Sequence, residues 1–193
     1  KPRKLHSVMD LVQEAGIDVA PWAMKRDGTP VKEPRANPHY CYEWAFGGKD
    51  EPGLIFVWYD ALSLEDGRLV WRDNYKSLTR RLHNLRTNQV KGIDQRARSI
   101  DQEARSRRLD ELVRDSFLAH RTLRIVLLGG DRQESVAVGR ARAKVKHRLL
   151  DTESWGVEMY DQATGDFVLV RGWQPANSSP NGDIAEPTSA IDD

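Results

Sequence analysis

The stretch from residue 37 to residue 60 constrains the fold more than any other. It reads N-P-H-Y-C-Y-E-W-A-F, then G-G-K-D-E-P-G, then L-I-F-V-W-Y-D. It holds Tyr40, Tyr42, Trp44, Phe46, Phe56, Trp58 and Tyr59, seven of the fifteen aromatic residues in the chain. Tyr40, Tyr42, Trp44 and Phe46 alternate with Cys41, Glu43 and Ala45, the period of a strand. Gly47-Gly48 and Pro52-Gly53 bracket a loop, and Leu54 to Tyr59 reads as the partner strand of a hairpin. One face of that hairpin would be paved with flat rings. Such a surface serves as core, because aromatic side chains carry much of the burial in a small domain. It serves equally as a pocket that stacks an extruded base. Both uses are compatible if some rings are buried and two or three stay at a pocket mouth.

With 193 residues, 39% of them hydrophobic, the chain suits one large domain, or one domain with extensions. Cys41 is the single cysteine, which excludes an internal disulfide framework and fits a reducing, cytoplasmic setting. No apolar run approaches the length of a membrane span, and no signal-peptide pattern is present. The chain starts at Lys1 and reads as a piece of something longer. Its formal net charge of +1 conceals an asymmetry. Residues 1–67 carry 8 Lys+Arg against 11 Asp+Glu, residues 68–148 carry 21 against 9, and residues 149–193 carry 1 against 9. The strongly basic middle block is the footprint of a polyanion binder; the alternative is a solvated helix face.

The chain in order gives a mixed α+β reading. Residues 1–6 are a loose basic start. Ser7 is an N-cap, Val8, Leu11, Val12 and Ala15 share a helix face, and Gly16 ends the helix. Ala23 to Pro38 is a long loop, and Trp22 at its start is a further candidate for the aromatic pocket. Asp60 to Gly67 is a connection carrying an Asp66-Gly67 hairpin-turn signal. Arg68 to Trp71 is a short strand, and a helix follows with Asp73 or Asn74 as its cap and a break between His83 and Gly92. Residues 93–120 form the clearest helix, although its arginines can be consumed by i,i+4 pairs with Asp and Glu. Thr122 to Leu128 is a central strand buried on both faces. The segment from Gly139 on carries Arg140, Arg142, Lys144, Lys146 and Arg148 with no acid, which suits a phosphate backbone. Trp155–Tyr160 and Phe167–Arg171 are the last strands, joined by a turn at Asp161 to Asp166. From residue 173 onward the composition is that of a disordered acidic tail or linker. The expected fold is a single α+β domain over 1–172: a curved mixed sheet of about six strands, one long helix, and two or three shorter ones.

Signatures of catalysis are missing. H-E-x-x-H, C-x-x-C and G-x-S-x-G do not occur, and His6, His39, His83, His120 and His147 show no metal spacing. No cofactor or metal is expected, and a binding role is favoured over an enzymatic one.

Several segments together resemble a known family: S-V-M-D-L-V-Q-E-A-G-I-D-V (7–19), N-P-H-Y-C-Y-E-W-A-F (37–46), R-D-N-Y-K (72–76), and R-L-L-D-T-E-S-W-G-V (148–157) with Y-D-Q-A-T-G and L-V-R-G after it. They are similar to the N-terminal modules found ahead of HNH nuclease domains in bacterial modification-dependent restriction endonucleases, including those directed at modified cytosine. The resemblance implies a module that brings a nuclease domain, missing from this chain, to double-stranded DNA carrying modified bases. If a base is flipped, Tyr40, Tyr42, Trp44, Trp58 and Trp22 are the candidate walls, and Asn37, Glu43 and Asp60 the candidate readers of its edge. Arg80, Arg81, Arg140, Arg142, Lys144, Lys146 and Arg148 are the candidate phosphate ligands. The alternatives are a modification-independent nucleic-acid binder, or a protein-interaction module whose rings are all core.

Overall fold

The apolar run T-L-R-I-V-L-L becomes β5 (Thr122–Asp131), the strand on which the sheet is assembled. The computed structural model describes residues 1–48, 51–87, 93–132 and 143–173. Within them lie helices α1 (Val8–Glu14), α2 (Pro38–Cys41), α3 (Tyr75–Thr87) and α4 (Ile93–Leu118). The other strands are β1 (Ala45–Phe46), β2 (Gly53–Trp58), β3 (Leu62–Glu65), β4 (Arg68–Asp73), β6 (Lys144–Leu150), β7 (Trp155–Tyr160) and β8 (Phe167–Arg171). The sheet runs β1-β2-β5-β7-β8-β4-β3, with β6 also paired to β5. Only β2 and β5 are parallel; every other pairing is antiparallel. The α+β class expected from the sequence is the one observed, with eight strands where about six were expected.

This sheet is strongly curled, and the connectivity proves it. Only three residues, Tyr59–Ala61, join Trp58, the end of β2, to Leu62, the start of β3. That chain reaches about 14 Å at full extension. In a flat sheet the two strands would stand five inter-strand steps apart, about 24 Å. The sheet therefore bends until β3 faces the end of β2, and the 3₁₀ turn Tyr59–Ala61 straps the gap. The inside of the curl is one buried cluster that takes residues from both halves. Ile55, Val57, Ile125 and Leu127 pack there with Trp71, Trp155, Phe167 and Leu169, and with Leu109, Leu112 and Val113 of α4. Gly53 lets α4 approach, because a Cβ there would strike Leu123 and Leu112.

A second layer covers the convex face. Val8, Leu11 and Val12 of α1 pack with Ile17, Trp22, Leu54, Phe56, Val126, Leu128 and Leu150. Ser7 occupies the N-cap position of α1 without a side-chain capping bond. Gly16, at φ 88°, closes the helix, and Ile17 N–H reaches back to the Val12 carbonyl at 3.2 Å. That is the Schellman arrangement.

The corner of the curl lies between β6 and β7, which lie in line along β5 and are broken at Asp151. Buried Asp151 accepts two hydrogen bonds from Arg171 (2.8 Å each), one from Trp155 Nε1 (2.9 Å) and one from Glu153 N–H (3.2 Å). Burial works against its charge, but Arg171 and Trp155 hold the carboxyl below the ordinary range.

Three local expectations are corrected. Residues 40–46 are not a strand: Asn37 caps and Pro38 opens the one-turn helix α2, so only Ala45 and Phe46 pair with β2. Asn followed by Pro is itself a helix-start signal, and it overrides the alternation of rings. Leu62–Glu65 is a strand, β3, and not a connection, completed by the Asp66-Gly67 turn with both residues at positive φ. Residues 1–6 are not loose: the Lys4 carbonyl accepts Arg148 N–H at 2.8 Å, and Pro2 is buried. Of the stretch from His83 to Gly92 in which a helix break was expected, His83–Thr87 continues α3; residues 88–92 and the expected tail beyond Trp173 lie outside the described residues.

Candidate nucleic-acid interface

The aromatic stretch does not make one paved face; the sheet divides it. On the convex side Trp22 stacks on Tyr40 at 4.9 Å and 16°, and lies 5.9 Å from Phe46. Trp58 packs against the same cluster. Asn37 is 2% exposed and fully used. Its amide donates to the carbonyls of Trp22 (2.9 Å) and Met24 (3.0 Å), and its Oδ1 accepts His39 N–H (3.1 Å). These groups lock the loop from 17 to 41 onto α1 and the sheet, and nothing in their polar chemistry is left over for a base. Tyr42 stands in solvent, 62% exposed. Glu43 is clamped by Arg108 at 2.8 Å and Arg105 at 3.6 Å, which ties the α2–β1 turn to α4.

The concave side differs. Trp44, Tyr59 and Tyr75 are partly exposed rings on the rim of the inner core. Tyr75 lies 6.0 Å from Trp44 and 6.0 Å from Trp71, edge-on to both, and is stacked with Phe167 at 6.2 Å. Trp71 is 1% exposed, yet its indole N–H finds no acceptor among the described residues. Asp73 points to the same side as Trp71, two residues along β4, and among the described residues its carboxylate accepts only the adjacent Asn74 N–H, at 2.8 Å. Burial pushes the Asp73 carboxyl above the usual range; the Asn74 N–H, Arg132 and Arg81 pull the other way without cancelling it. Burial likewise raises the Tyr75 phenol, and Asp73 adds to the effect. Arg132, at the end of β5, lies 3.9 Å from Asp60 on the strap. The curl thus brings together Trp44, Tyr59, Asp60, Asp73, Tyr75 and Arg132 from five separate parts of the chain. Of the eight residues expected at a base pocket, only Trp44 and Asp60 stand here.

The cations divide as well. Arg80 and Arg81 are exposed on α3, and Arg81 acts on Asp73. Lys144 and Lys146 are exposed on β6, and Lys146 is paired with Asp131 at 2.9 Å. Arg148 is turned inward: its guanidinium donates to the His6 carbonyl at 3.0 Å. It anchors the N-terminal segment and is not free for a phosphate. Arg140 and Arg142 lie outside the described residues. Among the arginines of α4, Arg105, Arg107, Arg108 and Arg114 are held in ion pairs.

The segments that carry the family resemblance prove to be structural joints. Besides Asn37 and Asp151, Asn74 caps α3 by accepting Ser77 N–H at 2.7 Å, while its amide holds Asp166 at 2.8 Å. Lys76 donates to the Gln162 carbonyl at 2.7 Å. No family model, curated protein or solved structure matches the chain. Its function therefore has to be argued from the rim and the cations. Among the described residues no group of three or more His, Cys, Asp or Glu is placed to hold a metal ion, and no helix is long and apolar enough to cross a membrane.

Proposed function

We propose that this chain is a DNA-binding module that recognises modified cytosine in duplex DNA, so that an associated nuclease acts at modified sites. The observation that carries the reading is the concave rim, where partly exposed rings, a half-buried acid and cations converge. A base swung out of the duplex stacks on Trp44, Tyr59 or Tyr75. Stacking on an aromatic side chain contributes about 1–3 kcal/mol, which offsets the few kcal/mol needed to extrude the base. Asp73 accepts from the cytosine amino group, the pairing expected of a carboxylate. Arg132 and Arg81 face the flanking phosphates. A methyl group at C5 adds about 0.8 kcal/mol when it leaves water, roughly fourfold in affinity. A larger preference requires the rim to fit the methyl closely.

A mobility shift with matched duplexes carrying cytosine, 5-methylcytosine or 5-hydroxymethylcytosine tests this. The expected result is a modified duplex bound about tenfold more tightly, or 1.4 kcal/mol, with the difference removed by Trp44→Ala. Equal binding of all three refutes the reading. That outcome supports a duplex binder blind to modification, a second reading favoured by the exposed lysines of β6, Lys144 and Lys146.

A further inference from the structure

The N-terminal segment has no regular secondary structure, yet it is fixed. The Lys4 carbonyl takes the Arg148 N–H, the His6 carbonyl takes the Arg148 guanidinium, and Pro2 is buried beside Gly129. These bonds hold residues 4–6 beside β6, while Pro2 reaches over to Gly129 of β5. Lys1, Arg3 and Lys4 are all exposed. On the neighbouring strand Lys144 and Lys146 are exposed too. The β5–β6 register slips at Gly129/Gly130, and Lys146 is the β6 residue left without a partner. Five cations from opposite ends of the sequence therefore line two adjacent extended segments. Asp131, bound to Lys146, is the acid they meet; among the described residues Lys1, Arg3, Lys4 and Lys144 have no ion pair.

Gathering like charges this way costs self-repulsion, which a polyanion relieves. Cations two residues apart on a strand stand about 6.6 Å apart, close to twice the 3.4 Å axial rise per phosphate of one DNA strand. Five cations that meet a single acid, Asp131, fit a phosphate backbone better than they fit a mixed-charge protein surface.

We propose that Lys1, Arg3 and Lys4 with Lys144 and Lys146 form one phosphate-tracking ridge for duplex DNA, adjoining the rim at Arg132 but using none of the residues that meet the base. The partner's identity rests on the DNA-binding reading above; the ridge itself does not depend on modification specificity.

Salt titrations of the whole chain decide it. Plain and 5-methylcytosine duplexes are titrated with the wild type, with Lys144→Gln/Lys146→Gln and with Arg3→Gln/Lys4→Gln, after thermal melts show that the variants fold. Each lost phosphate contact lowers the slope of log K against log salt by about 0.9, so each double variant should lose about 1.8. Both duplexes should weaken by the same factor, leaving the modified-to-plain ratio intact. A wild type with a clear preference, and variants with an unchanged slope, overturn the ridge alone. A wild type without preference, and variants with a reduced slope, overturn the base reading and keep the ridge. No duplex binding at all overturns both.

Discussion

The two faces of the curled sheet both carry rings, eight in the concave cluster and five in the convex one, and use them differently. On the convex face Trp22, Tyr40, Phe46 and Phe56 contact one another, and the one polar residue among them, Asn37, satisfies both its donors and its acceptor. On the concave rim Trp44, Tyr59 and Tyr75 keep exposed area, and among the described residues the Trp71 N–H has no partner and Asp73 accepts one local bond, from Asn74 N–H. Ring density alone does not distinguish a core from a site. Polar groups left incompletely satisfied beside the rings do, because a fold that gained nothing from them would bury apolar side chains instead.

The largest effect should come from the convex face. Trp22→Ala removes a fully buried ring and should cost about 3–5 kcal/mol in denaturant melts, while the surviving folded protein keeps any preference among duplexes. Loss of preference without loss of stability would break the contrast.

Next is the corner that creates the concave face. Arg171→Ala strips buried Asp151 of its bidentate partner and should cost about 3 kcal/mol at neutral pH. The folded Asp151 carboxyl is held below its unfolded value, so its contribution is present above about pH 4 and lost as the pH falls through the folded value. The gap between wild type and Arg171→Ala should therefore close on acidification. A gap independent of pH would show that the pair does not carry the charge assigned to it.

Asp73 gives the opposite sign. Its folded carboxyl sits above the ordinary value, so the folded state holds the proton more tightly, and stability declines as the pH rises past about 4. Asp73→Asn should raise the melting temperature at neutral pH, with the gain vanishing below that range, and should weaken binding of a modified duplex. A residue that lowers stability while serving binding is what a site predicts; a destabilised Asp73→Asn would place Asp73 in the scaffold.

Much of the fold was legible locally. The β5 run, the α1 stop at Gly16, the Asp66-Gly67 turn and the long helix all follow from residue types and their period. The site was not, because what assembles it is non-local. Asp73 or Asn74 reads as a helix cap in sequence; Asn74 is the cap, which leaves Asp73 to the rim. Only the three-residue strap between Trp58 and Leu62, set against a five-step sheet, shows that Asp73 and Arg132 come together. The N-terminal lysines read as a loose start because their anchor, Arg148, is far away in the chain. Asn37 and Glu43 were candidates on chemistry alone, and the structure spends both on holding the loop and α4 in place.

Trp58 and Tyr59 are consecutive, and their rings fall on opposite faces of the sheet. The most direct test compares Trp58→Ala with Tyr59→Ala for the ratio of affinities toward 5-methylcytosine and plain duplexes. The account predicts that Tyr59→Ala brings the ratio to one, while Trp58→Ala leaves it at the wild-type value. The reverse pattern would place the base on the convex face and contradict the central claim.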